Sequence, residues 1–258
     1  MTIAAETVRI AAVGDIHFQK IPTEGLQRLF SQLENIDVLL LCGDLTDYGQ
    51  PDEARLLARE LAAVRIPVVA VLGNHDYEAG RNDEIRQILV DVGVNLLDGD
   101  ACEIQGIGFG GTKGFAGGFG TGTLAPWGEP AIKRFVQEAL DEALKLESAL
   151  ARLRTAQRIA LLHYSPIEAT VVGEPREIFA FLGSSRLEDP LNRYEVTAAF
   201  HGHAHRGSPE GTTRNGIPVY NVSLPLLRRT FPEAPPFRIL ELPRHPTAPV
   251  TGEEAAGI

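Results

Sequence analysis

Three short apolar runs dominate the first third of the chain: VRIAAVGD (8–15), DVLLLCGD (37–44) and PVVAVLGNHD (67–76). Each is too short for a helix that must bury itself and reads as a buried strand. The segments between them carry apolar residues at helical spacing. Leu26, Leu29, Phe30 and Leu33 form the first set. A second helix opens at Pro51, which suits a first turn, and lines Ala54, Leu57, Leu61 and Val64 along one face. A third helix, capped by Asn82, follows the third run. This β-α-β-α-β order with short connections implies parallel strands in a layered α/β fold.

Beyond Gly93 the pattern changes. VNLLDG, ACEIQG and GIGFGG (94–111) read as three short strands separated by glycine turns, which predicts a meander. A long amphipathic helix is expected from about Glu129 to Arg154, with Ile132, Phe135, Val136, Ala139, Leu140 and Ala143 inward. RIALLHYSP, VTAAFHGHAH, IPVYNVS and FRILEL supply a second set of strands. The 258 residues fit one α/β domain, placed at 1–242, with a loose Pro- and Ala-rich tail at 243–258.

The polar residues matter most where the strands end. The first run ends in Asp15 and His17, the second in Asp44, the third in Asn74, His75 and Asp76. His163 follows RIALL, and His203 and His205 follow VTAAF. Sites in α/β sheets collect beyond the carboxyl ends of strands, so groups distant in sequence can converge there. Imidazole, carboxylate and one amide, with no thiolate, suit Mn, Fe or Zn better than Ca or Mg. Seven ligands exceed one ion with an open position. Two ions about 3.5–4 Å apart, sharing a carboxylate, would use them all.

DIH, GD, GNHD, a lone histidine after a strand, and GHAH occur here in that order. The set resembles the calcineurin-like metallophosphoesterase superfamily, over the span Asp15 to His205. The resemblance implies an α/β/β/α sandwich of two mixed sheets flanked by helices, with a dinuclear centre at the strand ends. By position, Asp15, His17, Asp44 and His205 would hold one metal. Asp44, Asn74, His163 and His203 would hold the other, with Asp44 bridging. His75 matches the family's general acid, and Asp76 would orient its imidazole. Tyr77 and Arg206, directly after motif residues, are candidates to line the substrate pocket.

The same resemblance narrows the substrate. Phosphoprotein phosphatases of the superfamily read GDxVDRG at the second motif, whereas this chain reads GDLTDYG, with Tyr48 in place of the arginine. GDLTD is more similar to the bacterial phosphodiesterase branch, including class III cyclic-nucleotide phosphodiesterases. The implied activity is hydrolysis of a small phosphodiester, with a cyclic nucleotide among the candidates. Alternatives are a phosphomonoesterase or nucleotide pyrophosphatase, then a nuclease, then a non-catalytic binding protein on the same fold. Such scaffold members have lost metal-site histidines that this chain retains.

Composition sets the remaining expectations. A formal charge of -10, from 34 acidic against 24 basic side chains, disfavours a nucleic-acid partner. Two cysteines are too few for a disulfide framework, no signal-like leader is visible, and no apolar run is long enough to span a membrane. These features predict a soluble, cytoplasmic protein acting on a small-molecule phosphoester; the sequence sets no oligomeric state. Cys42 reads as a small buried hydrophobe, His201 as a core histidine and His245 as solvated. GIGFGGTKGFAGGFGTG (106–122) is not a P-loop, because Lys113 precedes glycine rather than Ser or Thr and no helix follows directly. It is expected to form a mobile flap over the metal centre, with Lys113 on the substrate phosphate.

Overall fold

The computed structural model describes residues 7–19 and 29–244. Strands β1 (Thr7–Val13), β2 (Val38–Cys42) and β3 (Val68–Val71) run parallel, as the alternating pattern predicts. Parallel β4 (Asn95–Leu96) flanks β3, and antiparallel β11 (Arg238–Pro243) flanks β1. Every residue of β2 and β3 is buried, which is why both read as continuous apolar runs rather than alternating ones.

Helix α1 (Pro51–Leu61) begins at Pro51, and the Glu53 carboxylate accepts the Tyr48 and Gln50 amides ahead of it. In α2 (Asn82–Asp91) Arg81 occupies the cap position and Asn82 is already inside the helix. The Asn82 amide donates to Asp83, so it is not the cap expected from its residue type. Only a single 3₁₀ turn, Phe30–Gln32, represents the first expected helix among the described residues; Leu26 lies outside them.

The second sheet has the order β5-β6-β7-β8-β10-β9. It comprises β5 (Asp100–Ile104), β6 (Ile107–Gly111), β7 (Gln157–Leu161), β8 (Ala198–His201), β9 (Glu210–Thr212) and β10 (Pro218–Asn221). The expected meander is not formed. The Leu97 amide bonds to Ala70 in the first sheet and the Gly99 amide to Gly111 in the second, so the chain changes sheets there. Only β5 and β6 make a hairpin, and β6 then pairs parallel to β7.

Ile10, Leu39, Leu41 and Val69 of the first sheet share one core with Phe109, Ile159, Leu161 and Phe200 of the second. Leu146 and Leu150 of α3 (Pro130–Arg152) pack with Ala160, Leu162 and Ala199 in another core cluster. The layers are therefore helix, mixed sheet, mixed sheet, helix. Of the inner-face residues predicted for α3, Val136 and Ala139 are buried, whereas Leu140 is exposed. Glu142 is buried because it accepts the Thr112 hydroxyl at 2.6 Å and the Gly114 amide at 2.8 Å, and pairs with Lys145. No helix among the described residues is long and apolar enough to cross a membrane. Of the expected loose tail, residues 245–258, including His245, lie outside the described residues.

The glycine-rich stretch is a structural strand and its continuation, not a flap. Residues 107–114 are buried throughout. A Cβ on Gly108 would lie 2.4 Å from Thr155 Oγ1 and under 3 Å from Leu153, so the glycine lets β6 lie against the end of α3. Farther on, the Gly117 and Gly118 amides donate to the carbonyls of Ala180 and Gly183. Hydrogen-bonded and packed backbone of this kind does not open over a site.

Candidate metal centre

The loops after β1, β2, β3, β7 and β8 meet at one edge of the sandwich. The left-handed backbone region is sparsely used by non-glycine residues and concentrates at functional sites. Asp15, His17, Asp44 and His203 all occupy it, with φ of 54°, 43°, 48° and 69°. Close approach is also built in: a Cβ on Gly202 would lie 2.3 Å from Asp15 Oδ2, so only glycine lets β8 deliver His203 beside Asp15.

Three groups of side chains offer ligand atoms within 4.8 Å of one another: Asp15 with His17 and His205, His17 with Asp44 and His75, and Asp44 with His163 and His203. Asp15 accepts the His203 amide on both oxygens, and its Oδ1 lies 2.9 Å from His205 Nε2. Asp44 Oδ1 accepts the His75 amide at 2.9 Å and stands 3.3 Å from His163 Nε2. His163 Nδ1 donates to the Cys42 carbonyl at 3.0 Å, which leaves its Nε2 lone pair facing Asp44 and, at 2.9 Å, Asn74 Oδ1. The ring of His203 is fixed in the same way, its Nε2 donating to the Phe181 carbonyl at 3.2 Å and freeing Nδ1.

The electrostatics favour a cation. Burial, then the nearby carboxylates Asp15 and Asp76, push Asp44 up to about 9. For Asp15 burial acts upward, but the His205 hydrogen bond and the fields of His163, His205 and His203 outweigh it and hold the carboxyl low. Burial pushes His163 well below the usual imidazole range. Both ring nitrogens of His17 are buried without a hydrogen bond, although Asp47 Oδ1 is 3.2 Å from Nδ1. Buried imidazoles, an amide oxygen, a buried carboxylate that otherwise keeps a proton, and an orphaned histidine together form a donor set suited to borderline divalent metals.

The remaining sequence candidates fall in different places. His75 sits at the rim, its ring 4.6 Å from that of His17, with Nδ1 2.7 Å from the Asp47 carbonyl. A carbonyl only accepts, so Nδ1 carries the proton. Asp76 does not orient His75, contrary to the expectation. It is fully buried and accepts the amides of Gly73, Thr46 and Leu45 and the Thr46 hydroxyl, tying the third loop to the second. Lys113 does not project from a flap. It is 8% exposed, donates to its neighbour's carbonyl at Gly114, and lies against the rings of Phe115, Tyr164 and Tyr77. Arg206 is exposed, its amide donating to Glu174. His201 is a core histidine as expected, with Nδ1 on the Gly202 carbonyl and Nε2 2.8 Å from the Thr170 hydroxyl.

Sequence reasoning missed Asp47, whose carbonyl holds His75 and whose carboxylate approaches His17 and accepts from Gln19. Its place three residues after Asp44 was the available signal. Beside the centre opens a cleft of about 300 Å³ lined by Asp15, Ile16, His17, Gln19, Leu224, Pro225 and Arg228.

The family model for calcineurin-like phosphoesterases matches residues 8–207, a span that holds all of these ligands. The chain belongs to that family. The relatives it matches include a probable metallophosphoesterase and a probable phosphodiesterase. A probable metallophosphoesterase of Methanocaldococcus jannaschii is 31% identical over 104 residues, 40% of this chain and 50% of that protein. The chain thus aligns with half the length of that relative. A probable glycerophosphodiester phosphodiesterase GpdQ of Arcobacter nitrofigilis is 22% identical over 87% of this chain and 78% of its own. Among solved structures, the phosphopantetheinyl hydrolase of Mycobacterium tuberculosis superposes with a TM-score of 0.68 at 17% identity, covering 95% of this chain and 100% of the other. A structure from Thermus thermophilus gives 0.52 at 14%, covering 86% and 92%. At such identities the structural matches establish the fold, which is that of the family.

Proposed function

We propose that this calcineurin-like chain hydrolyses a small phosphodiester at a dinuclear centre. One ion would be held by Asp15, His17, Asp44 and His205, the other by Asp44, Asn74, His163 and His203. The observation that carries the reading is that Asp44 belongs both to a group with His17 and to a group with His163 and His203, as a bridging carboxylate must. Mn, Fe or Zn suits these donors. Such a pair of ions supplies an activated water and neutralises phosphoryl charge.

The chain's own groups do the rest. Asp44 and Asp15 place two carboxylates in a buried setting that favours bound cations over solvent. The Cys42 and Phe181 carbonyls fix which nitrogen His163 and His203 present. His75 donates from Nδ1 to the Asp47 carbonyl, so as the imidazolium, with both nitrogens protonated, it would give the Nε2 proton to a departing alkoxide. Tyr48, exposed where phosphatases of the superfamily carry an arginine, counts against a phosphoprotein phosphatase and supports the diester reading. The Arcobacter relative, a probable glycerophosphodiester phosphodiesterase, agrees with this choice.

The test is a substrate panel on chelated protein with Mn²⁺ restored, covering cyclic nucleotides, linear diesters, monoesters and short DNA. Diester turnover that returns with metal supports the proposal. Turnover confined to monoesters would overturn the substrate class.

A further inference from the structure

The mechanism leaves unused a row of aromatic rings that starts at the centre and runs to solvent. The Tyr164 ring centroid is 4.4 Å from that of His203. Phe115 stands 5.8 Å from Tyr164, Phe135 5.0 Å from Phe115, and Phe181 6.4 Å from Phe135. Tyr164 is buried, Phe115 and Phe135 are half-buried, and Phe181 is 57% exposed. The Lys113 ammonium lies 4.9 Å from the Phe115 centroid and 5.3 Å from that of Tyr164.

A lone exposed phenylalanine requires no explanation. Phe181 differs because of where its helix puts it. In α4 (Phe179–Leu182), Phe179 and Leu182 pack with Phe119, Val171 and Ala204, so the helix is anchored without Phe181. The Phe181 carbonyl meanwhile holds the His203 ring. An exposed phenyl is thus fixed to the backbone that positions a metal ligand, at the solvent end of an aromatic row that begins beside the same ligand.

Resting on the phosphodiesterase reading, we infer that this row is a subsite for a planar aromatic group on the ester arm that stays on phosphorus. Its position selects that arm. His75, which serves the departing oxygen, lies against His17. The row instead leaves from His203, on the other ligand group. Phe181, the exposed ring of the row, can stack on a flat guest, and such stacking tolerates any planar ring, aryl or nucleobase. A monoester would have nothing to place there, so the row also favours diesters.

The experiment keeps the leaving group constant. Phosphodiesters of 4-nitrophenol carrying methyl, octyl, phenyl or thymidin-5′-yl as the second ester are assayed with Mn²⁺-loaded protein. Phenyl and thymidinyl esters should exceed the methyl ester by about tenfold in kcat/KM, the scale of one stacked ring. In Phe181→Ala that ratio should fall towards one, with metal content unchanged, and Phe181→Trp should retain it. A preference for thymidinyl over phenyl would identify a nucleobase as the natural guest, and the reverse an aryl group. A methyl-to-phenyl ratio near one in the parent protein, an octyl ester better than phenyl, or an undiminished ratio in Phe181→Ala would each overturn the subsite. If no ester turns over, the phosphodiesterase reading falls on its own. Calorimetry of phenyl against methyl phosphate, the products that keep the retained arm, then decides the subsite, since equal affinities would reject it.

Discussion

His17 and His163 lie on opposite sides of Asp44 and are held in opposite ways. His163 is wholly buried, with one nitrogen committed to the Cys42 carbonyl and the other aimed at Asp44 and Asn74. The His17 side chain is 20% exposed, strained at a φ of 43°, and has a hydrogen bond on neither nitrogen. His205, on the His17 side, is 40% exposed at its side chain. The inner half is therefore anchored by a ligand built into the core, while the outer half includes one, His17, whose ring nitrogens have no hydrogen bond. Preorganised ligands bind a metal more tightly than ligands that must be held against strain.

Asp44 is the one group that should erase the distinction. Asp44→Ala removes the shared carboxylate, so both ions and essentially all turnover should disappear together, a fall well beyond about 100-fold. Metal analysis after gel filtration checks it. Two ions retained per chain would mean that the halves are separate sites.

His75→Ala tests the rim instead. Diesters with alkoxide leaving groups should slow by about 10²–10⁴-fold, whereas 4-nitrophenyl diesters, whose leaving group departs unprotonated, should slow far less. Equal losses on both would instead place His75 among the ligands, which its proximity to His17 and Asp44 allows.

These tests rest on residues that were legible because identity and local position fixed them. Asp15, Asp44, Asn74, His163, His203 and His205 each follow an apolar strand, and parallel strands carry their carboxyl ends to one edge. The groups that tune them were not legible. Cys42, Asp47 and Phe181 act through backbone carbonyls, which every residue possesses, so side-chain identity says nothing. Asp76 was misread because its role was carried over with the family resemblance, while the 3₁₀ turn at His75–Tyr77 points the carboxylate to Thr46 and Gly73. The glycines of 106–122 signal close packing as readily as mobility, and only the position of α3 distinguishes the two. Likewise β4 joined the wrong sheet in the sequence reading, since nothing in VNLLDG records its partner.

On metal-free protein the two halves should respond to truncation with opposite sign. His163→Ala orphans the Cys42 carbonyl inside the core and leaves a cavity. Unfolding in denaturant with chelator present should show a loss of about 1–3 kcal/mol. Unchanged stability would mean that the inner half is no better supported than the outer one.

The smallest effect should be the most discriminating. His17 has a left-handed backbone conformation that glycine adopts without strain, and its ring contributes no hydrogen bond in the absence of metal. His17→Gly should therefore stabilise the chelated protein by a few tenths of a kcal/mol, roughly 1 kcal/mol of backbone strain removed less about 0.5 kcal/mol for the extra freedom glycine gives the unfolded chain. With metal restored the order should reverse, because the parent gains binding free energy at its outer half and the variant does not. Thermal melts of both proteins with chelator and with Mn²⁺ give the four values needed. If His17→Gly melts lower in both conditions, His17 supports the fold itself, and the contrast with His163 is one of degree only.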